Sequence, residues 1–130
     1  MTSNGISEQA RQARIAVLGT GHTKQEIEGT DYARILVDWS AASVWEVWGR
    51  PGLDIKYRSA ATVAVLVTAG RLQLLGFHLR GALRLGFTVE ELAELILQVG
   101  IYAGTPAASD AMSVLVRTHE EWLAESEART

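Results

Sequence analysis

The residues best equipped for chemistry lie in the run from Phe77 to Ala108, FHLRGALRLGFTVEELAELILQVGIYAGTPAA, where His78 stands among Leu74, Leu75 and Ala82. Apolar neighbours three and four positions away place the imidazole on the buried side of a helix. Burial there tunes a histidine for oxyanion stabilisation or proton transfer, and the bland alternative is a core histidine bonded to a backbone carbonyl. Glu46 and Arg50 form a second constellation, four residues apart, on a helix face expected to carry Trp39, Ala42 and Ser43 as well. A carboxyl group there can do acid-base work, and a guanidinium can hold a carboxylate through two parallel hydrogen bonds. The plainer reading is a surface ion pair at a helix C-terminus. Arg80 and Arg84 share a face beside that of His78, and either could bind a carboxylate through two hydrogen bonds; the plainer reading, above all for Arg84, is a solvated face or an intersubunit ion pair. Tyr102 could offer a hydroxyl to a pocket. Trp45 and Trp48 could line one, although tryptophans at such spacing more often pack a core or an interface.

Positioning these groups falls to helices. Ser7 to Leu18 carries Ala10, Ala13, Val17 and Leu18 on one side and is broken by GTGHT. Thr30 and Asp31 can cap a longer helix to about Trp48, ended by Arg50-Pro51-Gly52, and Asp54 can cap the next. Ile55 to Ala69 has β-branched content that would suit a strand. Its length, its alanines and the terminating Gly70 favour a helix, with a second half buried on all sides. Arg71 to Leu85 comes next, and Thr88 with Glu91 has capping-box spacing for a helix whose stripe is Leu92, Leu95, Ile96, Val99 and Ala103. Thr105 is expected to cap the last helix, with Pro106 at its first position and Ala108, Ala111, Met112, Leu115 and Trp122 on its apolar face. No strand alternation, linker or repeat interrupts the pattern, so the expectation is one all-α domain over residues 1–130 with about six helices.

Composition narrows the chemistry. Zero cysteines exclude a disulfide, a thiolate zinc site, an iron-sulfur cluster and a redox dithiol. His22, His78 and His119 are too scattered to suggest a metal site, and Gly19-Thr20-Gly21 lacks the third glycine of a dinucleotide fingerprint. A net charge of -3 without long charge blocks gives no footprint for nucleic acid or for an anionic membrane. No apolar run approaches the ~20 residues of a membrane span, and MTSNGISEQARQAR lacks the apolar core of a signal peptide. A cytoplasmic protein is expected.

The order RPGLD, GR, H-x-R-G-A-L-R-x-G-x-T-x-E-E-L-x-E and Q-V-G-I-Y-A-G-T-P-A-A resembles the carboxymuconolactone decarboxylase family from about Asp31 to Met112. The resemblance implies an all-helical, alkylhydroperoxidase D-like subunit that assembles into a ring, a trimer or hexamer, with active sites near subunit contacts. It also implies catalysis on a small molecule without metal or organic cofactor. The branch of that superfamily that works through a CxxC pair is ruled out by the missing cysteines. Such a decarboxylation expels carbon dioxide from an unsaturated lactone and leaves a dienolate, so the site must orient a carboxylate, stabilise an oxyanion and reprotonate carbon. Under this resemblance His78, Glu46 and Arg50 are the catalytic candidates, and Arg80, Trp45, Trp48 and Tyr102 the substrate-binding ones.

Four positions depart from the family pattern. Leu74 stands where a glutamate is frequent one turn before the histidine, Val44 and Trp45 replace a tryptophan-glycine pair, and Leu85 replaces an asparagine. The added tryptophan ring and the polar-to-apolar changes at Leu74 and Leu85 point to a reshaped pocket. The leading expectation is a cofactor-free decarboxylase of a small carboxylated lactone or related cyclic acid. The alternatives are a cyclase, isomerase or ring-opening enzyme acting on a larger apolar metabolite, and a non-catalytic oligomer that binds a small molecule.

Overall fold

The structure is a computed structural model that describes residues 6–19 and 31–129. His22, Thr30 and the expected break after Gly19 lie outside the described residues. The helices are α1 (Glu8–Leu18), α2 (Asp31–Ser40), α3 (Glu46–Trp48), α4 (Ile55–Ala69), α5 (Leu72–Arg84), α6 (Val89–Ala103) and α7 (Thr105–Ala128), with a π-helical turn, Ala41–Trp45, joining α2 to α3. Because α2, the turn and α3 are continuous, these are the six helical segments expected, and no strand occurs among the described residues. The chain divides into two compact units, one ending at Arg58 and the other starting at Ser59.

In the first unit Ser7 caps α1, its hydroxyl accepting from the Ala10 N–H at 3.1 Å. The expected stripe of Ala10, Ala13, Val17 and Leu18 is buried, and α1 packs on the π turn and α3. This seating depends on Gly49, where a Cβ would come within 2.7 Å of the Gln9 carbonyl carbon and 2.8 Å of the Ala10 nitrogen. The π turn corrects the expected face of the second helix. One extra residue in a turn rotates the residues beyond it by about 100° relative to an unbroken α-helix. Glu46 therefore does not share a face with Trp39: it reaches Ser7, the cap of α1, while Trp39 stays 64% exposed. The helix ends at Trp48, with Gly49 as its C-cap.

The second unit is built from the remainder of α4 with α5, α6 and α7, and α7 packs against both α5 and α6. Asp54 starts α4 as expected, its carboxylate accepting from the Lys56 N–H at 2.9 Å. Val63, Leu66 and Val67 of α4 join Leu75, Leu79, Leu92, Ile96 and Leu115 in the core. The expectation that the second half of α4 is buried on all sides is wrong: Val65 and Thr68 are exposed, because only one side of the helix meets this core. The Thr88–Glu91 capping box forms, with bonds of 3.1 and 2.9 Å. Gly104, at φ 106°, makes the corner into α7 that a side chain would strain. It is also the N-cap of α7, so Thr105 rather than Pro106 opens that helix.

Replacing Gly49 by alanine is expected to lower unfolding stability by about 1–3 kcal/mol, because the atoms its Cβ meets are backbone and cannot rotate away. Urea denaturation checks this, and an unchanged midpoint would contradict the close approach of α1.

Candidate active site

The first unit holds Glu46, Arg50, Trp45 and Trp48. Glu46 is engaged by the start of α1: the Ser7 N–H donates to Oε1 at 2.6 Å and the Ser7 hydroxyl to Oε2 at 2.9 Å. These two bonds, the backbone one first, hold its carboxyl below the usual glutamate range. At neutral pH Glu46 is thus an ionised acceptor and not a proton donor, which narrows the acid-base role expected of it. Each of its oxygens retains acceptor capacity for a further partner.

Arg50 lies past the end of α3, so the i,i+4 pairing with Glu46 does not form; Arg50 is exposed and, among the described residues, meets no carboxylate at ion-pair distance. Its loop is fastened by Arg58, a residue that carried only a weak signal in the sequence. Arg58 Nε donates to the Leu53 carbonyl and Nη2 to the Arg50 carbonyl, both at 3.1 Å. That guanidinium fixes the backbone beneath Arg50 and leaves the Arg50 side chain to other partners. Trp45 and Trp48 are each 8% exposed, and their rings form a tilted pair with centroids 5.7 Å apart. Their surface goes mainly into packing, in line with the plainer reading.

The second unit holds His78, Arg80 and Tyr102. His78 is 8% exposed on α5, and burial lowers its pKa, so the neutral imidazole is the form present at neutral pH. A neutral ring can donate one N–H to a developing oxyanion. Leu74, one turn earlier, is half exposed and so does not share the buried side with His78. Arg80 is already partnered, because its guanidinium is ion-paired with Glu125 and lies 3.7 Å from Glu121, both on α7. Arg84, one turn on, lies 5.9 Å over the Trp122 ring. Tyr102 is 85% exposed on α6 and contacts little of its own unit. Among the described residues no group of three or more histidines, cysteines or acids could hold a metal ion, and no helix is long and apolar enough to cross a membrane.

A profile described as the carboxymuconolactone decarboxylase family matches residues 30–117, a stretch that spans Glu46, Arg50, His78, Arg80 and Tyr102. The 4-carboxymuconolactone decarboxylase of Acinetobacter baylyi is 40% identical over 107 residues, covering 81% of this chain and 80% of that protein. The chain belongs to the carboxymuconolactone decarboxylase family. A second relative, the nitrosuccinic acid decarboxylase of Metarhizium robertsii, is 31% identical over 118 residues, covering 87% of this chain and 80% of that one. An uncharacterised 15.0 kDa protein of Paracoccus denitrificans is 32% identical over 93 residues, 66% of this chain and 69% of its own. The two named relatives support a decarboxylase-like enzyme acting on a small molecule.

Burial of His78 has a thermodynamic signature. Its folded pKa lies below the unfolded value of 6.5, so the stability tied to the neutral ring is complete above 6.5 and is lost as pH falls through the folded value. Going from about pH 7 to about pH 5.5, this group can remove at most about 1.3 kcal/mol. His78→Gln should flatten that part of the curve, as measured by urea unfolding at both pH values. An identical pH dependence in the variant would contradict a buried neutral imidazole. Glu46 acts in a separate, more acidic window, since its own depression matters only below 4.5.

Proposed function

We propose that this family member is a cofactor-independent carbon-carbon lyase that decarboxylates a small activated carboxylic acid, with 4-carboxymuconolactone as the first candidate substrate. The reading rests chiefly on the 40% identity to a 4-carboxymuconolactone decarboxylase across four-fifths of both chains. In the proposed reaction the bond between ring carbon and carboxylate breaks and carbon dioxide leaves. The electron pair delocalises as a dienolate onto the lactone carbonyl, and a proton returns to carbon.

Roles are assigned group by group. Arg50 holds the substrate carboxylate, which its lack of an ion-pair partner among the described residues supports. His78 donates its N–H to the dienolate oxygen, which its burial and neutral state support. Glu46, ionised, serves as a base that accepts a hydrogen bond from a water and orients it; that water gives its proton to carbon, and the hydroxide left is taken up by the released carbon dioxide as bicarbonate. Arg80, Tyr102 and the tryptophan pair are assigned to the periphery of substrate binding, with Arg80 subordinate to Arg50 because it is already ion-paired with α7. We extend the proposal to a cytoplasmic homo-oligomer, a trimer or hexamer. The exposed stripes of Tyr32, Ile35, Leu36 and Trp39 on α2 and of Leu97, Ile101 and Tyr102 on α6 support that part.

A second reading is favoured by Leu74 and Phe77, which are 48% and 38% exposed on the helix that carries His78. They offer an apolar wall suited to a larger or less polar acid. Purified, chelator-treated protein incubated with 4-carboxymuconolactone, and separately with nitrosuccinic acid, is expected to release carbon dioxide from one of them at about 1–1000 per second. Release from neither would refute decarboxylation of these acids, and activity restored only by added metal would refute cofactor independence.

A further inference from the structure

The bonds between Ser7 and Glu46 join residues 39 positions apart, and the family match begins only at residue 30, well after Ser7. The geometry has three parts. Ser7 donates twice to one carboxylate, through its backbone N–H at 2.6 Å and its hydroxyl at 2.9 Å, so that both oxygens are fixed and the carboxylate plane is set. The same hydroxyl accepts from Ala10 N–H at 3.1 Å, which aims its own proton at Glu46. Gly49 admits the start of α1 close enough for these bonds to form. The π turn of Ala41–Trp45 sets the direction in which Glu46 leaves its helix.

From this geometry we infer that Ser7 is a positioning residue for Glu46, making the start of α1 a working part of the catalytic apparatus. The inference rests on the proposed role of Glu46 as an ionised base. Ser7 touches no reacting atom in this scheme. It keeps Glu46 in one orientation, which a base must have before substrate arrives, and extends its charged form to lower pH.

Other charges on the elements packed here are Glu8, Arg11 and Arg14 of α1, Arg34 and Asp38 of α2, and Arg50 after α3. Glu8 is engaged by Arg11 and Gln12. The hydrogen bonds on the Glu46 carboxylate, among the described residues, both come from Ser7.

The test uses the full-length protein with carboxyl-labelled glutamate, followed by carbon NMR as Glu46 titrates. Removing the hydroxyl in Ser7→Ala is expected to move the Glu46 titration to higher pH, and Ser7→Thr, which keeps it, to leave the titration near wild type. Ser7→Gly retains most of the capping preference while losing the hydroxyl, so it must shift the titration as alanine does even if alanine frays α1.

Kinetics with 4-carboxymuconolactone complete the cycle. Ser7→Ala should lower kcat by about tenfold at little change in KM, but by less than about twofold when Glu46 is already Gln. An unmoved titration, or an equal loss in both backgrounds, overturns the positioning role while leaving Glu46 as the base. Wild-type activity in Glu46→Gln overturns the proposed role of Glu46 itself, and the role of Ser7 falls with it. The titration needs no turnover, so it decides even for protein inactive on this substrate.

Discussion

A helix that begins near a protein's core must find acceptors for its first N–H groups. At the start of α1 the Ser7 hydroxyl accepts from Ala10 N–H, and the N–H of Ser7 itself is met from far along the chain, by the carboxylate of Glu46. Much of the first unit depends on this long-range cap. The π turn rotates Glu46 away from the exposed side where Trp39 lies, Gly49 leaves room for the α1 backbone, and the Trp45–Trp48 pair is buried in the same packing. The same bonds lower the pKa of the carboxyl, so one interaction both anchors a helix and keeps a candidate catalytic group ionised to lower pH than an ordinary glutamate.

The second unit distributes its polar groups by a related logic. Arg80 and Arg84 stand one turn apart on α5, and α7 answers both, with Glu121 and Glu125 for the first and the Trp122 ring for the second. A guanidinium ion-paired in this way must break those contacts before it can bind a substrate carboxylate. His78 differs. Its burial disfavours the charged form, and the neutral ring is the state that suits the oxyanion role proposed for it.

Helical periodicity and caps were readable from the chain because they depend on neighbours a few residues away. Asp54, Thr88 with Glu91, and the α6 stripe of Leu92 and Ile96 all stand where spacing placed them. The buried position of His78 was readable for the same reason. Two things escaped. The π turn carries no distinctive residue in AASVW, so the face of Glu46 came out about one residue out of phase. The partners of Glu46 and Arg80 lie 39 and 45 positions away, and no local pattern encodes such pairings. Burial on every side of α4 was overestimated, since an apolar run specifies that its surface should be covered but not that its own chain covers it.

Internal pairing decides which charges are left for substrate. Of the two candidate arginines, Arg50 meets no carboxylate among the described residues, whereas Arg80 is ion-paired with α7. Steady-state kinetics of Arg50→Gln and Arg80→Gln with 4-carboxymuconolactone compare them directly. Arg50→Gln is expected to lower kcat/KM by about 100-fold and Arg80→Gln by less than about tenfold. A larger loss from Arg80→Gln than from Arg50→Gln would overturn this assignment of the carboxylate site.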